Sequence, residues 1–160
     1  MPTLTPQQQE MLRLAVRLAQ ENIAHGGGPF GAVIARGDQI IATGVNRVTA
    51  HHDPTAHAEV QAIRAACQAL GTFSLEGCDI YSSCEPCPMC LSAIYWAHLS
   101  RLCYASNKDD AAAAGFDDAF IYRELALDPA DRRLATTAMP LPEADAVFRQ
   151  WVETDEKTAY

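Results

Sequence analysis

The sequence predicts one layered α/β domain, and three observations carry that expectation. Apolar residues recur at helical spacing after a capped start near the N-terminus; two short runs of apolar and branched residues follow, joined by a turn; helical and strand patterns then alternate. The chain has 160 residues, 49% hydrophobic and 20% charged, enough to bury a sizeable core. It has no repeat, low-complexity tract or linker, so residues 1–160 read as a single domain.

Thr5, Pro6 and Gln8 predict the first helix start: a capping hydroxyl, a proline in the first turn and Gln at the reciprocal position. Leu12, Ala15, Val16, Ala19 and Ile23 then mark one apolar face, and Gly26, Gly27 and Gly28 end the helix. Residues 30–35 and 40–45 predict an N-terminal antiparallel hairpin around Arg36-Gly37-Asp38-Gln39. A polar loop over residues 46–56 leads to a helix over residues 57–70. A third strand follows at residues 78–82, then a Cys-rich turn, a helix through Ala97 and a fourth strand at residues 101–105. Residues 109–124 mix alanines with the cluster Phe116-Asp117-Asp118-Ala119-Phe120. A final helix is expected over residues 142–153, with Val147, Phe148 and Trp151 on one side.

The formal net charge of −8 argues against a long polyanionic partner, since Lys and Arg contacts to phosphate supply most nucleic-acid affinity. No secretory pattern opens the chain, and no apolar run approaches the roughly 18 residues of a membrane span. Six cysteines without an export signal point to metal binding or reduced thiols, and the cytoplasm is the expected compartment.

The chemistry concentrates in a split pattern, His57-Ala58-Glu59 followed by Pro86-Cys87-Pro88-Met89-Cys90. One imidazole and two thiolates are ligand types that zinc prefers, and three protein ligands leave the fourth tetrahedral position open, as in a catalytic site. Cys87 and Cys90 are three apart, so both sulfurs can face one point at a helix start, where the exposed N–H groups favour thiolate. Glu59 places a carboxylate beside that metal for proton transfer. The competing arrangement adds Cys84 to make a closed Cys₃His site, a structural module in which Glu59 is merely solvated. Cys67, Cys78 and Cys103 fall within apolar patterns and read as small buried hydrophobes. His25, His51, His52 and His98 have no partner at ligand spacing.

The His-x-Glu and Pro-Cys-x-x-Cys pair is the pattern of zinc-dependent base deaminases, so the chain resembles the cytidine deaminase-like superfamily. Within it, Gly-Gly-Pro-Phe-Gly-Ala-Val-Ile from Gly27 is similar to the bacterial guanine deaminases. So are His-Asp-Pro-Thr-Ala-His-Ala-Glu-Val from His52, Ser-Cys-Glu-Pro-Cys-Pro-Met-Cys-Leu from Ser83, Gly-Phe-Asp-Asp-Ala-Phe-Ile-Tyr from Gly115 and the terminal Tyr160. Transfer-RNA adenosine deaminases share the zinc pattern and much of the Asp53 to Glu59 segment. Residues 129–141 depart most from the family pattern.

The resemblance implies a three-layer α/β/α fold with a mixed five-stranded sheet, one Zn²⁺ per subunit and a homodimer. A C-terminal segment of about residues 128–160 would be exchanged with the partner, so that Trp151 and Tyr160 act there. It implies hydrolysis of guanine to xanthine and ammonia, with a small purine as substrate. The alternatives are deamination of another amino-heterocycle or nucleoside (ammeline, guanosine), with transfer-RNA adenosine as the more distant one. Glu59 and Asp118 are the expected catalytic residues, and Asn46, Phe30, Ala58, Trp96 and Tyr160 the expected substrate contacts. Asp117 competes with Asp118 for the purine amino group. Phe30 and Trp96 offer aromatic faces for a flat ring.

Overall fold

The computed structural model describes residues 3–160. Helix α1 spans Pro6–Ala24 and opens on the expected capping box: Gln8 N–H donates to the Thr5 hydroxyl, and Thr5 N–H donates to the Gln8 side chain. His25 caps its C-terminus, and Gly26 beyond it takes a positive φ of 77°, a turn that glycine makes without steric cost. Strands β1 (Gly31–Arg36) and β2 (Gln39–Val45) pair antiparallel.

The segment expected as plain loop contains a single helical turn, α2, at Val48–His51, ended by His52 in the left-handed conformation. Helix α3 (Ala58–Leu70) follows, then β3 (Asp79–Cys84), α4 (Pro88–Trp96) and β4 (Arg101–Ser106). Strand β3 thus begins one residue and ends two residues later than residues 78–82, because its pairing with β1 and β4 extends the ladder.

The sheet order is β2-β1-β3-β4, antiparallel except for the β3–β4 pair, which α4 connects in parallel. The five-stranded expectation is therefore corrected: the sheet of the described residues has four strands. Beyond β4 the backbone forms helices α5 (Lys108–Ala113) and α6 (Ala119–Leu125), which bring no further strand to the edge.

Alternation along the strands splits the core in two. Ala32 and Ile34 of β1 and Ile80 of β3 join Ala58, Ala62 and Ala66 of α3 and Ile94 of α4 on one face. Val33, Ala35, Tyr81 and Cys103 meet Met11 and Ala15 of α1 on the other. Helix, sheet and helix make three layers. Two glycines set the spacing: a Cβ on Gly31 would run into the backbone of α1 at Ala15 and Ala19, and one on Gly44 into α3 at Ala58 and Ala62. Gly44 thereby fixes how closely the start of α3 approaches the sheet.

The chain divides into two compact units, one up to Ala119 and one from Phe120 to Tyr160. The second contains most of α6 and the last helix, α7, at Pro142–Glu153, the bounds that the sequence pattern predicts. All six cysteines are free thiols. Among the described residues, no helix is long and apolar enough to cross a membrane.

Candidate metal centre

Two helix starts build the centre. His57 is the N-cap of α3 and Cys87 the N-cap of α4, and neither side chain caps its own helix, so each stays available as a ligand. Pro88 in the first turn of α4 gives up an N–H that would find no helical partner, and Cys90 lies one turn on from Cys87. Because β3 runs antiparallel beside β1, its C-terminal end and the loop after it deliver both cysteines to the start of α3.

His57 Nδ1 lies 3.5 Å from Cys87 Sγ and 3.5 Å from Cys90 Sγ, and the three ligand atoms fall within 4.8 Å of one another. Tetrahedral zinc, with sulfur at about 2.3 Å and nitrogen at about 2.0–2.1 Å, would hold those atoms about 3.6 Å apart. Zinc fits, through Nδ1 of the histidine. Cys84 is not part of this group: it is buried in β3 and its thiol donates to the Asn107 carbonyl at 3.5 Å. Burial pushes the Cys84 thiol up to about 11, the opposite of what a metal thiolate needs.

The electrostatics of the pair favour a deprotonated ligand. A bond from the Cys90 thiol, helped by His57 and the Cys90 backbone N–H, brings the Cys87 thiol down to about 4. The same bond, with burial, holds Cys90 above the ordinary thiol range. His57 is raised chiefly by its bond to Cys87. Metal uptake therefore releases protons from this cluster.

Glu59, in the first turn of α3, is 6% exposed, and burial holds its carboxyl above the usual carboxylate range. Its Oε1 accepts a hydrogen bond from the Ser82 hydroxyl of β3 at 3.1 Å, a contact that sequence spacing alone does not reveal. Glu85, between Cys84 and Cys87, ties the ligand loop to the next helix: its N–H donates to Ser106 O, and its carboxylate accepts from Lys108 N–H.

Of the two competing acids, Asp117 is committed locally, its Oδ1 accepting from Ala119 N–H at 3.0 Å. Asp118 instead has a buried Oδ1 with no protein partner. Its carboxyl is raised by burial first and then by the charge of the Cys87 thiolate, which places it in the electrostatic reach of the metal ligands. Phe30 meets Phe116 edge-to-face, with ring centroids 4.9 Å apart. Trp96 ends α4, six residues after Cys90 or about 9 Å along the axis, and is 66% exposed. Phe30's aromatic partner in the structure is thus Phe116.

Asn46 is buried, and its Oδ1 accepts from Val48 N–H at 3.2 Å. The sequence reading missed Asn22, a buried polar residue on α1 whose Nδ2 donates to both Gly28 O and Asn46 O at 2.9 Å. Gly27 has no side chain because a Cβ there would collide with the Asn22 amide. An asparagine among the apolar positions of α1 was the available signal. Ala58 is fully buried in the α3 packing, while Tyr160, 77% exposed, belongs to the second unit.

Residues 5–106 match the family model of the cytidine and deoxycytidylate deaminase zinc-binding region. The chain belongs to this deaminase family. Such deaminases catalyse zinc-dependent hydrolytic deamination, and the three clustered ligands and Glu59 carry its motif here. Guanine deaminase from Bacillus subtilis (strain 168) is 50% identical over 150 residues, covering 93% of this chain and 96% of that one. An X-ray structure of guanine deaminase from Bacillus subtilis superposes with a TM-score of 0.93 at 49% identity, covering 95% and 98% of the two chains. A transfer-RNA-specific adenosine deaminase from Aquifex aeolicus (strain VF5) is 39% identical over 95 residues, 59% of this chain and 63% of that one.

Proposed function

We propose that this deaminase acts on guanine, giving xanthine and ammonia. The observation that carries the reading is Asp118: a buried carboxylate oxygen without a protein partner, in the electrostatic reach of Cys87 and one residue from an acid that is locally satisfied. The 2-amino group of guanine, the group that departs, supplies the hydrogen that this oxygen lacks. Near-full-length similarity to a guanine deaminase supports the same choice, while the similarity to a transfer-RNA deaminase stops at about three fifths of the chain.

Bound at His57, Cys87 and Cys90, zinc supplies a Lewis acid that lowers the pKa of water from roughly 15.7 towards about 7. Glu59 takes the proton that water gives up and delivers it to the ring nitrogen beside C2. It then carries a proton to the departing amine. The water oxygen bonds to C2, the C2–N bond breaks, both water protons pass through Glu59 to the ring nitrogen and the amine, and Glu59 ends each cycle as it began. Burial suits the carboxyl to this exchange by bringing its proton affinity closer to neutrality. Phe30 and Phe116 form an aromatic wall, Asn46 offers a donor and acceptor to the purine edge, and Ala58 and Trp96 complete the proposed contacts.

We further infer a homodimer in which the C-terminal segment, about residues 128–160, serves the partner subunit and brings Tyr160 to its site. Helix α7 supports this. Its apolar residues Val147, Phe148 and Val152 are exposed in the single chain, and a helix with such a stripe is stabilised by burying it. Ammonia release from guanine, guanosine, adenine, cytosine, ammeline and adenosine tests the substrate: guanine should exceed every other base at least tenfold. A preference for ammeline or guanosine would replace it.

A further inference from the structure

Strand β3 runs Asp79–Cys84, and Ile80 and Ser82 share the face that packs under α3. Ile80 continues the apolar core there, but the next position is a hydroxyl, 2% exposed, paired in register with Ala32 of β1. A serine among alanines and isoleucines breaks the apolar pattern, and among the described residues the side chain that answers it is Glu59, its Oε1 3.1 Å away and itself 6% exposed. The adjacent Ser83 turns to the other face, where its oxygen accepts from Gly31 N–H, so it does not share the task.

We infer that Ser82 is a positioning residue for deamination, its hydroxyl fixing the rotamer of Glu59 so that the carboxylate stays aimed at the reacting atoms. Glu59 sits on the first turn of α3, and three side-chain torsions separate its carboxylate from the backbone. Packing alone restrains such a chain loosely, whereas a bond from a strand in the middle of the sheet fixes one oxygen. Oε1 accepts the Ser82 hydroxyl, while the Glu59 backbone N–H and the Cys90 thiol also reach this carboxylate; of the three, Ser82 is the contact from the sheet and is not a metal ligand. Near-ångström misplacement of a catalytic group costs on the order of a hundredfold in rate. This rests on the deaminase reading above and extends it to a residue outside the zinc motif.

The test compares Ser82→Ala, Ser82→Thr and the parent, each loaded with zinc. Ser82→Ala should lower kcat for guanine roughly 10- to 100-fold while KM, zinc content and melting temperature stay near the parent values. Ser82→Thr keeps the hydroxyl and should recover most of kcat. In a crystal structure of zinc-loaded Ser82→Ala, Glu59 should leave its parental rotamer. Parental kcat in Ser82→Ala, loss of zinc or stability in step with turnover, or failure of Thr to recover kcat would each overturn the inference. The parent enzyme separates the two claims: no turnover of guanine by the parent overturns the substrate reading instead.

Discussion

The residues up to Ala119 and the residues from Phe120 onward solve the burial problem in opposite ways. The first unit folds four strands between helices and buries both faces, so its ligands sit on helix starts held by a core. The second has no buried residue in α6 or α7, and Phe148 remains 73% exposed. The difference teaches that the ligand cluster is held by a buried core, while the apolar residues of the last helix stay exposed. The first unit holds every zinc ligand, Glu59 and Asp118; the second offers an apolar surface and a terminal tyrosine.

If the first unit carries the chemistry, its largest single effect belongs to Glu59. Glu59→Gln should lower turnover by roughly 10² to 10⁴ while zinc, measured by atomic absorption, stays at one per chain. Stability should move the other way in the metal-free protein. Burial raises the folded-state carboxyl above its value in the unfolded chain, so the charged form costs stability as pH climbs from about 4.5. Metal-free Glu59→Gln should therefore melt a few degrees higher than the parent at neutral pH, if the relief is about 1 kcal/mol, and equal it at pH 4. Scanning calorimetry at the two pH values decides the sign.

The second unit is probed by removing residues 142–160. Turnover should fall roughly tenfold or more, and gel filtration should show loss of dimer, while the zinc content of the remainder is kept. Full activity in the truncated chain would confine function to the first unit. A smaller effect sharpens the role of close packing. Gly44→Ala pushes a methyl into the start of α3 and should cost about 1–3 kcal/mol, read by urea unfolding, with a parallel loss of zinc affinity.

The smallest effect concerns the turn that leads into His57. Asp53 accepts from both the N–H and the hydroxyl of Thr55, and those bonds hold its carboxyl below the usual range. Its contribution is present above pH 3.8 and fades as pH falls through the lowered value. Asp53→Asn should lower the melting temperature slightly at pH 7, and the difference should vanish near pH 2.

What the sequence made legible follows from how local each signal is. The Thr5–Gln8 capping box, the turn at Gly26, the bounds of α7 and the zinc pair are encoded within a few residues of themselves. The turn of helix α2 was hidden because four residues in a polar loop show no periodicity. The strand count came from resemblance, and pairing partners are a property of the folded sheet. The roles of Ser82, Asn22 and Phe116 depend on neighbours 23, 24 and 86 residues away, so only the fold reveals them. Asp117 and Asp118 are adjacent in sequence, and only the fold shows their different surroundings: a local bond to Ala119 for one, a buried oxygen without a partner for the other.

The central claim is that Asp118 receives the departing amino group of guanine at the family's metal centre. Xanthine formation from guanine, followed by absorbance in the zinc-loaded parent and in Asp118→Ala, tests it most directly. The account predicts equal amounts of xanthine and ammonia from the parent. In the variant it predicts a kcat/KM lowered roughly 10- to 100-fold, on the order of 1–3 kcal/mol for one unpaired polar contact, with zinc retained. Asp118→Ala that deaminates guanine at the parental rate would contradict it.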